Sequence, residues 1–551
     1  MLNIKRLLLG ELMKKLKHIL LASVLLLSTV MGTACKQSKD TLKAEDIPDY
    51  SAYTNQFDFY GYHSVHDGYY SIDDVKYSVG ESFFTLEQYQ MYKDAGMTIM
   101  YPQSILKIRG ETGTMRGEGP TKEEDEAKFY ADRAADFERV KTEIDKFVSI
   151  GLDRTTLYDE DLAWLGLNDY KGEGLVGEGK RFATEEELDE QVYKLVSLYA
   201  DYPGVFGVCF ADEPKYLAVT SYGELYKSIK RVNEKYGYNL YPDFNLNPLN
   251  LTKFVYEEYY PYVEGTGEAD PMTGKVKFED GFARYQKYIE DFMDSMNPTC
   301  IQYDDYPLRN GYLSATYLPC IEYVAGVARD RNIKFHMVAQ TFDMNTNGTR
   351  SMRTLTQSGA NWLNNTMLGF GVCEISYFTY FTRSESKSEG ESFIDNASFV
   401  TLYGKKTPIY DMMQEIMSNN QKFAPTVLNF RYQKTGVFTK RPLNYSSDHI
   451  QYMEQNTQTY EKVKSVSVNK ECAMVNELYD AENDRYMYMA MNIVDPIYQG
   501  STVYQTITLE FAPEYKYAVV YKNGEKSLYR LENSKLNVKG APGDASFVIP
   551  F

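Results

Sequence analysis

Between residues 57 and 378, eight short apolar or aromatic runs alternate with longer helical stretches, and nothing else in the chain limits its fold as strongly. The runs are 57–62, 97–101, 154–158, 204–210, 240–245, 300–304, 334–340 and 369–378. Helical segments at 85–95, 124–150, 184–200, 221–236, 280–296 and 318–331 lie between them. The last has apolar residues at helical spacing and feeds straight into a run. Eight strand-then-helix units predict an α/β fold, a (β/α)8 TIM barrel over 50–400. A doubly wound sheet shows the same alternation with fewer units, and a nucleotide fold is not expected.

Beyond residue 400 the pattern changes. A connecting helix is expected over 407–418, within the segment 401–425. Alternating stretches at 473–477, 486–492, 505–509, 517–521 and 546–549, separated by Asn, Asp, Gly and Pro, predict an all-β sandwich over 426–551.

The first 34 residues read as an export signal, with basic residues Lys5, Arg6, Lys14, Lys15 and Lys17 ahead of the apolar run 19–27. Gly32-Thr33-Ala34-Cys35 resembles a bacterial lipoprotein box, which implies a lipid on Cys35 and a tether over 35–49. Ordinary secretion with cleavage near Ala34 is the alternative. The expected place is therefore extracytoplasmic, with membrane contact through the lipid alone. Loss of the leader takes five basic and one acidic side chain, so the formal charge of -18 becomes about -22. Such a chain lacks the positive footprint that nucleic-acid backbones require. Five His and six Cys, with no CxxC or Cys/His cluster, predict neither a metal site nor a cofactor. Core thiols are the expectation for the cysteines beyond Cys35.

Barrel chemistry gathers where strands end. Here those ends carry His63; Asp159-Glu160-Asp161; Asp212-Glu213-Pro214; Asn245 and Asn247; Tyr303-Asp304-Asp305-Tyr306; Gln340; and, within the last run, Glu374 and Tyr377. Carboxylates converging with Tyr, Asn, His and Gln suit a sugar. Glycosidic hydrolysis needs one protonated carboxyl for the leaving oxygen and a second group for the developing oxocarbenium ion. Glu213 is the expected acid. The competing reading is that Asp212 and Glu213 merely open a helix, where acidic groups favour the dipole. His63, Asn245, Asn247, Tyr303, Asp304, Gln340 and Tyr377 are candidate sugar contacts, and Trp164 a candidate stacking platform. Trp362 is expected in the core, and for His63 and His336 a core role is as plausible as substrate contact.

The stretch Val205-Phe206-Gly207-Val208-Cys209-Phe210-Ala211-Asp212-Glu213-Pro214 resembles the fourth strand of the clan of (β/α)8 retaining glycosidases. The stretch 369–380 is similar to the last barrel strand of glycosidases among gut bacterial lipoproteins that carry a C-terminal β-sandwich. The resemblance implies hydrolysis of β-linked glycans or glycosides, with Glu213 as proton donor. Two departures stand out. Asp212 replaces the clan's Asn, and Gln340 ends the seventh run where the clan has its nucleophilic Glu. Asp305 and Glu374 are the nearest replacements. The Asp212-Glu213 pair also resembles that of barrel N-acetylhexosaminidases, in which the substrate's acetamide is the nucleophile and the Asp orients it. A third reading is a non-catalytic glycan-binding lipoprotein on a degenerate barrel.

Overall fold

The computed structural model describes residues 42–43, 46–63, 69–72, 75–78, 82–101, 107–108, 123–167, 172–382, 391–440, 445–496 and 503–551. The expected leader, Cys35 and most of the tether lie outside them. The chain divides into units 1–47 and 48–551, and the second is described here. Among the described residues, no helix is long and apolar enough to cross a membrane.

An N-terminal parallel α/β region is followed by a C-terminal antiparallel region. The parallel strands form two four-stranded sheets. One runs Asp58–Gly61, Glu374–Phe378, Lys334–Gln340, Cys300–Asp304, and the other Lys107–Ile108, Thr155–Asp159, Val205–Asp212, Tyr241–Asn245. At one pair of edges, Leu246 makes a parallel bridge to Tyr303. At the other, the Phe59 carbonyl accepts from Thr98 N (2.8 Å), while Met100 bridges to Thr155. The expected second strand at 97–101 is thus bonded on both sides, but it forms only this isolated bridge.

Local signals explain the helices. Thr85, Thr184, Thr356 and Thr407 each accept a backbone N–H in the first turn of the helix that follows. Gly237 and Asn297 close two helices in left-handed conformations. One boundary differs in a way that matters. The run at 369–378 was expected to be strand throughout, but the helix Gln357–Gly369 ends there and Gly371 turns with φ +79°. The strand Glu374–Phe378 begins only afterwards.

Side chains alternate across each parallel strand. One face gathers Tyr60, Tyr62, Ile99, Tyr101, Cys209 and Val338 into an inner cluster. Within it Tyr60 donates to Gln302 Oε1 (2.9 Å) although the two strands are not neighbours. The other face meets the helices. Helix Val219–Tyr236 packs on Phe278–Met296 with Gly223 against Ser295.

The antiparallel part has a six-stranded sheet beginning at Arg431–Thr439 and a three-stranded sheet of Val463–Val468, Gln505–Phe511 and Lys535–Gly540. Their facing residues share one core, including Val475, Tyr488, Leu509, Phe511 and Val548. The helix Pro408–Val427, longer than expected, precedes it. Trp362, buried, donates to the Ile493 carbonyl (3.3 Å) and Tyr50 to Asp480 (2.8 Å), so both regions hold one another. The cysteines at 209, 300, 320, 373 and 472 are unpaired thiols, four of them buried.

Close helix packing gives a direct test. A Cβ on Gly223 would stand 2.8 Å from Ser295 Cβ and 2.9 Å from its carbonyl oxygen. Gly223→Ala should lower stability by about 1–3 kcal/mol in urea unfolding. Gly326→Ala should be neutral or mildly stabilising, because its Cβ meets only an Arg329 nitrogen at 3.9 Å.

Candidate active site

The site grows from the end of the strand Val205–Asp212. Its register against Tyr241–Asn245 shifts between Cys209 and Ala211, and the strand runs on to Asp212. Glu213 then turns left-handed, with φ +46°. A bulky residue held there costs about 1–3 kcal/mol and persists only where its surroundings impose it. The constraints are visible. Glu213 N donates to the Asn245 carbonyl (2.9 Å). The Pro214 carbonyl accepts from Tyr288 OH (2.9 Å) and Asn247 Nδ2 (3.3 Å). Asp212 and Glu213 are both exposed, at the mouth of the inner face.

Asn245 ties this end to the next strands. Its Nδ2 donates to Asp212 Oδ1 and to Asp304 Oδ1, each at 3.1 Å. Asp304 is 2% exposed. Burial and then the Asp212 charge push its carboxyl up to about 6, against hydrogen bonds from Glu213, Asn245 and Tyr306 that favour its ionised form. Two residues below Asn245, burial and then the Asp212 charge push buried Asp243 up to about 8. Three carboxyl groups therefore meet where the strands Val205–Asp212 and Cys300–Asp304 end, above a fourth whose raised pKa favours its neutral form at pH 7. Such a group can hold and pass a proton, because neighbouring like charges cannot all be ionised together. Tyr306 continues the site into an aromatic wall, with its ring centroid 5.0 Å from Phe342 and 5.7 Å from Phe378. His63, also left-handed, sets its ring edge on Phe378 at 5.6 Å.

The structure thus brings together Asp212, Glu213, Asn245 and Asp304, with Tyr306 bonded to Asp304 and His63 along the wall. The other expected residues stand outside this hydrogen-bonded group. Asp305 neighbours the opposite face: its charge acts on Tyr285, Tyr303, Tyr317 and Cys320 among the helices. Tyr303 shares that face and stacks on Phe335 (6.0 Å). Asn247 is buried and holds Pro214. Gln340 is clamped to the Leu308 backbone, accepting from its N (2.9 Å) and donating to its O (3.1 Å). Tyr377 is buried against Phe59 and Phe399. Trp164 is half-buried on the helix Glu160–Leu167, which opens as the strand Thr155–Asp159 ends.

Glu374 departs furthest. It opens its strand instead of closing it, level with Asp58 and His336 at the amino ends. There it lines a cavity of about 240 Å³ with Phe335, Phe370 and Tyr432. Burial, then the charges of Asp58 and Asp243, push it up to about 8. Burial pushes His336, whose Nδ1 is 3.4 Å away, down to about 3. Both shifts favour the neutral forms at pH 7.

One stretch that sequence reasoning passed over spells two phosphate-loop patterns. Residues 172–180, GEGLVGEGK, fit both GxGxxG and GxxxxGK. Arg181 stands where a phosphate loop needs Ser or Thr, and the run lies in turns and bends after the helix Glu160–Leu167. The strand-to-helix setting that gives those patterns meaning is missing.

No protein-family model matches the chain, and no curated protein matches it. Among solved structures, an α-amylase from Geobacillus thermoleovorans is 10% identical, over 90% of this chain and 98% of that one, with a TM-score of 0.39. An endo-β-1,4-mannanase from Thermotoga petrophila is 12% identical, over 89% and 98%, with a TM-score of 0.37. A family 1 β-glucosidase from Thermotoga maritima is 10% identical, over 67% and 99%, with a TM-score of 0.38. Likeness at this level assigns neither a family nor an activity.

Glu374 makes its own prediction. A carboxyl raised from 4.5 to about 8 on folding stabilises the fold most below its unfolded value, and that share is lost as pH rises through about 8. Glu374→Gln cannot ionise. Between pH 5 and 8, wild-type stability in urea should fall relative to the variant by on the order of 1–3 kcal/mol. An equal gap at both pH values would mean that Glu374 is charged in the fold.

Proposed function

We propose that this chain is a glycoside hydrolase acting on β-linked glycans or glycosides. In this reading the parallel strands form one (β/α)8 barrel over 50–400, the sandwich occupies 426–551, and Cys35 carries the lipid of an extracytoplasmic protein. The observation that carries the proposal is the double hydrogen bond from Asn245 to Asp212 and Asp304, beside left-handed Glu213. It supports Asp304, in place of Asp305 or Glu374, as the second carboxylate. A hydrogen bond from Glu213 favours the charged form of Asp304, which suits Glu213 as the proton holder.

The chemistry then runs in two steps. The Glu213 carboxyl gives its proton to the glycosidic oxygen as the bond to the anomeric carbon breaks. An Asp304 oxygen attacks that carbon and forms a glycosyl ester. The Glu213 carboxylate next takes a proton from water, whose oxygen displaces Asp304, restoring both groups. Carboxyls in hydrogen-bond contact stand closer to the retaining spacing of about 5–5.5 Å than to the wider inverting one.

Asp212 favours a second reading. It sits at the site mouth, held by Asn245, where it could orient a 2-acetamido group acting as nucleophile in place of Asp304.

A panel of aryl β-glycosides, with and without a 2-acetamido group, separates the possibilities. Glu213→Gln should lower kcat about 10²–10⁴-fold on whichever substrate is cleaved. Asp304→Ala should be rescued by azide if Asp304 is the nucleophile. Cleavage of 2-acetamido substrates alone, without rescue, would favour Asp212. No turnover on any glycoside would leave a binding protein.

The site also predicts a pH profile. The acid limb of kcat/KM should report an apparent pKa near 6, belonging to the coupled carboxyls. Asn245→Ala removes a hydrogen bond that favours ionised Asp304, so the limb should move to higher pH. A limb that stayed in place would detach Asp304 from the rate.

A further inference from the structure

The strand Tyr241–Asn245 ends beside Glu213, and residues 246–277 leave from that end before the helix Phe278–Met296. They are fastened to the site. Tyr216 N donates to the Tyr259 carbonyl (3.2 Å), Lys215 pairs with Glu258 (2.7 Å), and the Lys215 ammonium lies 5.3 Å from the Tyr259 ring centroid. Tyr259 is close enough to Glu213 for the carboxylate to act on its phenol.

From there aromatic rings reach outward. Phe254 is 6.1 Å from Tyr259 and 59% exposed. Tyr262 is 68% exposed, yet its ring is supported. The buried Arg284 guanidinium lies 3.9 Å from the Tyr256 centroid and 5.1 Å from that of Tyr262, and its Nε donates to Thr266 Oγ1 (3.0 Å). Tyr262 is therefore braced by a fixed cation while most of its surface stays open to solvent.

Resting on the glycosidase reading, we propose that Phe254, Tyr259 and Tyr262 form a ledge that carries the glycan beyond the sugar held at Glu213. The natural substrate is then an oligosaccharide or polymer, not a monosaccharide glycoside. A sugar ring presents an apolar C–H face that matches an exposed aromatic ring, and its rim of hydroxyls stays in water. The same segment, 246–277, carries five acidic residues and three lysines. That balance does not favour an anionic glycan or an anionic lipid surface.

The test uses the full chain and two classes of substrate. One class is aryl β-monoglycosides. The other is neutral β-1,4-linked pentaoses of glucose, mannose, galactose and N-acetylglucosamine. The ratio of kcat/KM on the cleaved pentaose to that on its aryl monoglycoside should fall roughly ten-fold for Phe254→Ala and for Tyr262→Ala, as loss of a buried apolar face implies. Tyr262→Phe should keep most of the ratio. Met272→Ala, at a 93% exposed residue of the same segment, should leave it at the wild-type value. A ratio unchanged in both alanine variants overturns the ledge. So does an equal loss on both substrates, which would mark a structural role. If wild type cleaves nothing, the glycosidase reading fails by itself, and calorimetric titration with the pentaoses decides the ledge. Binding that Tyr262→Ala weakens about ten-fold supports it, and absent or unaffected binding overturns it.

Discussion

The alternation of side chains along the parallel strands is the constraint on which the rest of this molecule depends. Because the period is two, residues 300, 302 and 304 share one face and 301, 303 and 305 the other. The inner face brings together strands that are not hydrogen-bonded to each other, as the Tyr60–Gln302 contact shows. Polar side chains on that face cannot turn away to water, so each must find a partner or stay neutral. Asp243, Asp304 and Glu374 are all pushed upward first by burial, whatever their neighbours add.

The same alternation explains what could be read from the sequence. Threonine caps and left-handed Gly237 and Asn297 mark helices by local chemistry, and the limits of the six helices expected up to residue 331 lie within a few residues of the observed ones. Asp304 and Asp305 are adjacent carboxylates at one strand end, and composition alone treats them alike. Only the register of the whole strand, which aligns Asp304 with Val338 and leaves Tyr303 stacked on Phe335, separates the carboxylate bonded to Asn245 from its neighbour. Glu374 departs from its expected place for a different reason. Gly369-Phe370-Gly371-Val372-Cys373 is apolar enough to read as strand, while the backbone uses Gly371 as the turn out of a helix. Moving the strand start to Glu374 carries that carboxylate from one end of the sheet to the other.

Burial alone therefore does not set how readily a carboxylate ionises, and the two ends of the strands show why. At the carboxyl ends, Asp304 receives hydrogen bonds from Asn245, Tyr306 and Glu213, which offset part of the burial and leave it near 6. It can change charge within the range in which proteins work. At the amino ends, no hydrogen bond lowers Glu374, and it stays near 8 beside a histidine that is itself neutral. One carboxyl is held near ionisation by directed donors, and for the other the opposite charges of Arg154 and Lys334 offset burial only in part. Backbone geometry points the same way, because left-handed Glu213, imposed by Asn245 and followed by a clamped Pro214, adjoins the first carboxyl and not the second.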